Sequence, residues 1–184
     1  MAAGESALLL ARDRSDPGGP SPLEQEVVEL FDQLRGKLLR YTLHFGLPVQ
    51  DGEEIIQETF LALFRHLQQG RPRENLRGWV FRVAHNLALK RRAAEHFSDS
   101  GLAGETLAFA DPSPDPEAQL AGAQTQQHLL AVFRVLPEQD RRCLILRAEG
   151  LRYREIAHVL GISLGGVSMS LSRSLARLSR AAGR

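Results

Sequence analysis

The chain has 184 residues, 43% hydrophobic and 24% charged, and a formal net charge of +1. That length allows one domain or two small ones, and that balance excludes a disordered chain. The single cysteine, Cys143, excludes a disulfide scaffold and a multi-cysteine zinc site, and it favours a reducing, cytoplasmic setting.

Residues 1–22 read as a loose arm, because Gly4, Pro17, Gly18, Gly19 and Pro20 break any regular element. The apolar run Ala7–Ala11 is too short to span a bilayer. Leu8–Leu10 follow Glu5 rather than a basic region, so they are not read as a signal-peptide core, and no membrane contact is expected. From Pro22 an apolar stripe runs Val27, Phe31, Leu34, Leu38, Tyr41 and Phe45, in alternating steps of four and three. That is helical periodicity, and Gly46 and Pro48 end it. Asp51 with Glu54 resembles a capping box that opens a second helix, with Ile56, Phe60, Leu63 and Leu67 as its buried stripe. Gly70 stops it, and Asn75 is placed to cap a third helix with the stripe Leu76, Val80, Val83 and Leu87.

Residues 97–116 read as a linker, since the prolines of the segment 111–116 favour an extended backbone. Helical character returns at Glu117, with the stripe Leu129, Val132, Val135 and Leu136. Pro137 fits the start of the next helix, and Cys143, Leu144 and Ile145 supply its buried face. Nothing alternates with period two, so the expected fold class is all-α: two small helical domains joined by a flexible acidic linker. The division is 1–22 arm, 23–96 first domain, 97–116 linker and 117–184 second domain.

Charge is distributed in blocks. Residues 21–70 carry four basic and eight acidic side chains, and residues 71–92 carry seven basic and one acidic. Residues 93–133 have six acids and no Lys or Arg, and residues 134–184 have ten Arg and four acids. Two basic blocks separated by an acidic one suggest two anion-binding surfaces joined by a linker that itself repels anions.

The second basic block contains a helix-turn-helix pattern that starts at Tyr153. Ile156 and Leu160 are apolar, Ala157 is small enough for a close crossing, and Gly161 permits the positive φ of the turn. Ser163 can cap the following helix, whose expected buried stripe is Leu164, Val167, Leu171, Leu175 and Leu178. Its exposed face offers Ser168, Ser172, Arg173, Arg177 and Arg180. Its first turn holds Gly165 and Gly166, where base reading would call for Arg, Lys, Asn or Gln. The expected contacts are therefore mostly to phosphates.

In the first basic block, Asn75, Trp79, Arg82, Asn86 and Lys90 share one face of the third helix, beside its apolar stripe. An indole among cations suits unpaired bases, which stack on aromatic rings while arginines hold phosphate. Core packing at the stripe's edge explains Trp79 equally well. Arg71 and Arg73 in the preceding loop can cup an extruded base or stand as solvated charges. On the second helix, Glu54, Gln57, Glu58 and Leu61 form a polar flank, either a docking face for a basic partner or a solvated surface. No pocket is implied there, so the carboxylates make a poor catalytic pair.

Three segments together resemble a known family: the residues 51–60, the residues 75–86, and Leu136-Pro137 followed by Glu155-Ile156-Ala157 and Leu160-Gly161-Ile162-Ser163. They are similar to the two-domain extracytoplasmic-function (ECF) sigma factors of bacterial RNA polymerase. The first domain corresponds to region two over 23–96 and the second to region four over 117–181. The resemblance implies a transcription initiation factor, without catalytic residues, cofactor or metal, that binds core RNA polymerase and directs it to promoters. It implies that Glu54, Gln57, Glu58 and Leu61 dock on the β′ clamp helices. It implies that Arg71, Arg73, Asn75, Arg77, Trp79, Arg82, Asn86, Lys90 and Arg91 bind minus-ten DNA and help open it. Ser168, Ser172, Arg173 and Arg177 are implied for minus-thirty-five DNA, on a domain that also docks on the β flap. An anti-sigma factor stays open as a further partner. The family usually carries Thr and then Lys or Arg where this chain has Gly166 and Ser168, so weak minus-thirty-five readout is expected. The alternative is a stand-alone helix-turn-helix regulator, which leaves the basic third helix and the acidic flank without a role. A hydrolase built on His44, His66, His85 or His128 lacks any partner at metal spacing.

Overall fold

A computed structural model describes residues 19–98 and 126–182. Regular structure among them is entirely helical. The helices are α1 (Pro22–Leu43), α2 (Val49–Gln68), α3 (Leu76–Ser98), α4 over residues 126–134, α5 (Glu138–Ala148), α6 (Tyr153–Leu160) and α7 (Leu164–Ala182). Residues 99–116 of the expected linker, the helical start expected at 117 and the arm before residue 19 lie outside the described residues. Residues 97 and 98, read as linker, continue α3. No single described helix is long and apolar enough to cross a membrane.

Among the helix starts, those of α1 and α2 differ from the sequence reading. At α1, Ser21 Oγ accepts from Glu24 N while Glu24 Oε2 accepts from Ser21 N at 2.7 Å, a capping box the apolar pattern did not reveal. The second helix opens at Val49 rather than Asp51, with no side-chain cap. Asp51 lies in the first turn and pairs with Arg91 at 3.1 Å instead of capping. At α3, Asn75 takes φ 55°, and its Oδ1 accepts from Gly78 N at 3.2 Å. A Cβ at position 78 would collide with that amide, so the cap depends on the glycine.

In the first domain α1, α2 and α3 pack on one another. Leu34, Leu38 and Tyr41 meet Ile55, Ile56, Phe60 and Leu63 of α2 and Val80, Phe81 and Ala84 of α3 in one buried cluster. Phe31 and Phe60 meet edge-on at 5.0 Å. A fully buried Leu or Phe contributes about 1.5–3 kcal/mol, so this cluster dominates the domain's stability. The expected α3 stripe is corrected. Leu76, Val83 and Leu87 are only half-buried, whereas Phe81, Ala84, His85 and Ala88 are buried. The reason is that α3 packs on α1 and α2 and also on α6, so its buried surface is wider than one stripe.

In the second domain α5, α6 and α7 enclose Cys143, Leu146, Leu151, Ile156, Val167 and Leu171. Gly161 turns α6 into α7 at φ 66°, and Ser163 Oγ accepts from Gly166 N at 3.0 Å. Leu164 and Leu175, expected inside, are about half exposed. Ser170 and Ser174 take buried places instead, with Ser174 Oγ donating to the Ser170 carbonyl at 2.8 Å. Small serines let α7 lie close to α5, where a leucine would hold it away. Val135 is exposed because α4 ends one residue before it.

Candidate nucleic-acid interface

The polar flank of α2 stands clear of the core. Gln57, Glu58 and Leu61 are exposed, and Glu54 is exposed while pairing with Arg91 at 2.9 Å. Gln57, Glu58 and Leu61 thus form an exposed surface, with Glu54 at its edge engaged by Arg91 of α3.

The basic residues near α3 fall into three groups. Arg71, Asn86 and Lys90 are exposed. Arg73 is tied to Glu26 of α1 at 2.6 Å, and Arg91 bridges Asp51 and Glu54 of α2. Arg77 and Arg82 reach across to the second domain. Arg77 Nη2 donates to the Glu149 carbonyl at 2.7 Å, and Arg82 Nη1 donates to the His158 carbonyl at 3.2 Å. Asn75 spends its carbonyl oxygen on the α3 cap. Trp79 is half-buried, packs against the core and meets the His66 ring at 4.6 Å. The core-packing reading of Trp79 accounts for this position.

On the recognition helix α7, Ser168, Ser172 and Arg177 are exposed. Arg173 is not a loose cation. Its Nη2 donates to Asp140 Oδ1 at 2.9 Å, and the Asp140 side chain is 1% exposed. Asp140 Oδ2 is buried without a protein hydrogen-bond partner, so Arg173, together with the N-terminus of α5 in whose first turn Asp140 lies, compensates that carboxylate. Sequence periodicity missed Asp140, Glu149 and Glu26 because all three act between helices, and pairing between helices has no spacing signal.

The histidines are dispersed. His85 lies against the Tyr41 hydroxyl, which stands 2.7 Å from its Nδ1. Burial, with Arg142 adding to it, pushes the His85 pKa down to about 4. The imidazole is neutral at pH 7 and the phenol, raised by burial, stays protonated, so the pair is a structural hydrogen bond. His44 meets Phe133 edge-on at 6.4 Å, and His66 meets Trp79 at a tilt. No group of three or more His, Cys, Asp or Glu among the described residues is placed to hold a metal ion.

Comparison with known proteins bears on both domains. Residues 30–97 match the family Sigma-70 region 2, and residues 126–178 match Sigma-70, region 4. The chain is 32% identical over 146 residues to the RNA polymerase sigma factor CnrH of Cupriavidus metallidurans, covering 73% of this chain and 75% of that protein. It is 29% identical over 152 residues to the ECF RNA polymerase sigma factor SigE of Mycolicibacterium smegmatis, covering 82% of this chain and 59% of that one. The fold is similar to that of the sigma factor RpoE solved with the anti-sigma factor NepR from Bartonella quintana. There the TM-score is 0.62 at 19% identity, over 85% of this chain and 96% of that one. A solved structure of CnrH with the cytosolic domain of CnrY gives 0.57 at 24% identity, over 85% and 86%. Two family segments in the order two then four, on an all-helical fold shared with solved sigma factors, lead to one conclusion: the chain belongs to the ECF group of RNA polymerase sigma factors, which are transcription initiation factors.

Proposed function

We propose that residues 23–96 and 117–184 act as separate working parts of this initiation factor, joined by an acidic linker over 97–116. The first part docks core RNA polymerase through Glu54, Gln57, Glu58 and Leu61, against the β′ clamp helices. It holds minus-ten DNA with Arg71, Arg73, Asn75, Arg77, Trp79, Arg82, Asn86, Lys90 and Arg91. The second part meets minus-thirty-five DNA through Ser168, Ser172, Arg173 and Arg177 and rests on the β flap. The protein acts in the cytoplasm and carries out no chemistry of its own; the polymerase supplies the catalytic site. An anti-sigma factor is the natural regulator, since the similar folds of RpoE and CnrH were each solved with a second protein, for RpoE an anti-sigma factor.

The observation that carries this reading is the pairing of an uncovered acidic flank on α2 with a cation-rich α3 packed beside it. A flank of that sign suits a basic protein surface, and the cations suit a nucleic-acid backbone. The opposite charge of the two faces supports different partners for them. A stand-alone regulator needs only the second of them. Run-off transcription with core polymerase on a genomic fragment library tests the proposal. Promoter-specific products that depend on this chain are expected. Their absence, with active core confirmed, would remove it.

A further inference from the structure

The loop between α2 and α3, residues 70–75, is held by groups on all three helices of the first domain. Gly70 takes φ 66° and ends α2, with its N–H donating to the Leu67 carbonyl at 3.0 Å and Arg71 N donating to the His66 carbonyl at 3.3 Å. That pair of bonds is a Schellman motif, and it fixes where the chain leaves the helix. The His66 side chain reaches the loop as well. Its Nε2 lies 3.0 Å from the Pro72 carbonyl. A carbonyl only accepts, so Nε2 carries the proton and donates. His66 thus holds Arg71 by its backbone and Pro72 by its ring. Arg73 is tied from another side, by Glu26 of α1 at 2.6 Å, across 47 residues of sequence. Asn75 closes the loop, its Oδ1 accepting from Gly78 N and its carbonyl from Trp79 N. The His66 ring also meets the Trp79 indole, at 4.6 Å and 40°. Imidazole, loop and indole are one connected unit at the start of α3.

We propose that His66 and Glu26 are positioning residues for strand capture: from α2 and α1 they set the loop over residues 70–75 in the shape that receives an unpaired minus-ten base. Neither belongs to the residues assigned above to DNA, and their roles rest on that assignment. The segment they hold, residues 71 to 73, contains both loop arginines. A loop that orders only on meeting a strand subtracts its ordering entropy from the affinity. Ties at Pro72 and Arg73 remove that cost in advance. They also leave the cations able to bind. Arg71 is exposed, and Arg73 gives Glu26 one of the five donors of a guanidinium. The Glu26 tie separates geometry from charge. An acid beside a phosphate-binding loop repels a strand, so Glu26 opposes binding through its charge and favours it through the shape it imposes.

The test uses holoenzyme made from the full chain and core polymerase, with a promoter recovered by the run-off screen. The probe is a fluorescent non-template oligonucleotide bearing its minus-ten element, with an abasic residue placed at each position in turn. In the wild type, the abasic residue at the base the loop receives should cost roughly tenfold in affinity, or about 1.4 kcal/mol. His66→Phe keeps a ring beside Trp79 and loses the donor. It should bind the intact oligonucleotide roughly tenfold more weakly, with no further loss at that one position and unchanged losses at the others. Coupling to a single base is not what a general loss of structure produces. His66→Gln, whose amide can donate to the Pro72 carbonyl, should restore the dependence on that base. Glu26→Ala removes an acid, so charge alone would strengthen binding; a roughly threefold loss tied to the same base is expected instead. Abasic losses in His66→Phe that match the wild type at every position would overturn the proposal, and so would tighter binding by Glu26→Ala. If His66→Phe melts at a lower temperature, Glu26→Ala at its partly exposed site decides alone. A wild-type chain that yields no promoter-specific product would sink the functional reading and this inference together. Wild-type transcription with uncoupled variants would sink the positioning roles only.

Discussion

His85 is the residue whose surroundings have the clearest thermodynamic consequence. Its folded pKa of about 4 lies below the ordinary histidine value of 6.5 because burial disfavours the imidazolium. The unfolded chain therefore binds the extra proton first as pH falls. Stability from this group is complete above pH 6.5 and is lost between 6.5 and about 4. Between pH 7 and pH 5 the loss should be about 2 kcal/mol. Urea unfolding at the two pH values measures it. His85→Gln keeps a hydrogen-bonding group for Tyr41 and should flatten most of that difference. An equal acid loss in the variant would assign the effect to carboxylates instead. The sequence placed a histidine on α3 but gave no sign of this. The expected stripe Leu76, Val80, Val83 and Leu87 leaves out position 85, which is buried because α3 packs on more than one side.

At the scale of the element, helices were legible because their stripes repeat, and their ends were legible where one residue type dictates the backbone. Gly161 and Ser163 were read correctly because positive φ and an N-cap each demand a small set of residues. Asp51 misled because a carboxylate near a helix start serves equally as a cap or as an ion-pair partner, and the partner, Arg91, lies 40 residues away. Asn75 is the most exacting of these sites, since it combines positive φ with a side-chain cap. Asn75→Ala should cost about 1–2 kcal/mol, while Asn75→Gly, free at that φ, should cost only a few tenths. Thermal unfolding of the two variants separates the contributions, and equal losses would contradict the backbone argument. The α2 flank gives a prediction of the opposite kind. Gln57→Ala with Glu58→Lys alters only exposed side chains, so helicity should stay unchanged. Affinity for core polymerase should fall roughly tenfold as one attractive charge becomes repulsive. Co-purification with core at wild-type levels would count against this face.

Across the whole molecule, the alternation of charge was the strongest reading from sequence, and the pairing of domains was the weakest. The arginine blocks give no hint that Arg77 and Arg82 face protein groups. That arrangement depends on how two separately readable halves meet, which no local pattern encodes.

The recognition helix brings residue, element and molecule together in one expectation. Gly165, Gly166 and Ser168 give its first turn no long donor for a base edge. A good bidentate base contact is worth roughly 1–3 kcal/mol of discrimination, and that turn supplies none. Further along, Arg173 is committed to a buried carboxylate and Arg177 is exposed. The two should therefore respond differently to truncation. Arg177→Ala should weaken duplex binding about equally for the promoter's upstream element and for random duplex, with the salt slope smaller by about 0.9. Arg173→Ala should weaken binding and also destabilise the domain by about 3 kcal/mol, because it leaves Asp140 buried and unpaired. Fluorescence anisotropy over a salt series, run beside urea unfolding, checks both variants in the full chain. Selectivity then has to come from tethering. In the proposed complex, core polymerase and the first domain hold α7 near its site and raise its effective concentration without any new contact. A free chain that prefers its upstream element by roughly a thousandfold at physiological salt would have the selectivity of a self-sufficient DNA reader, and would refute this account.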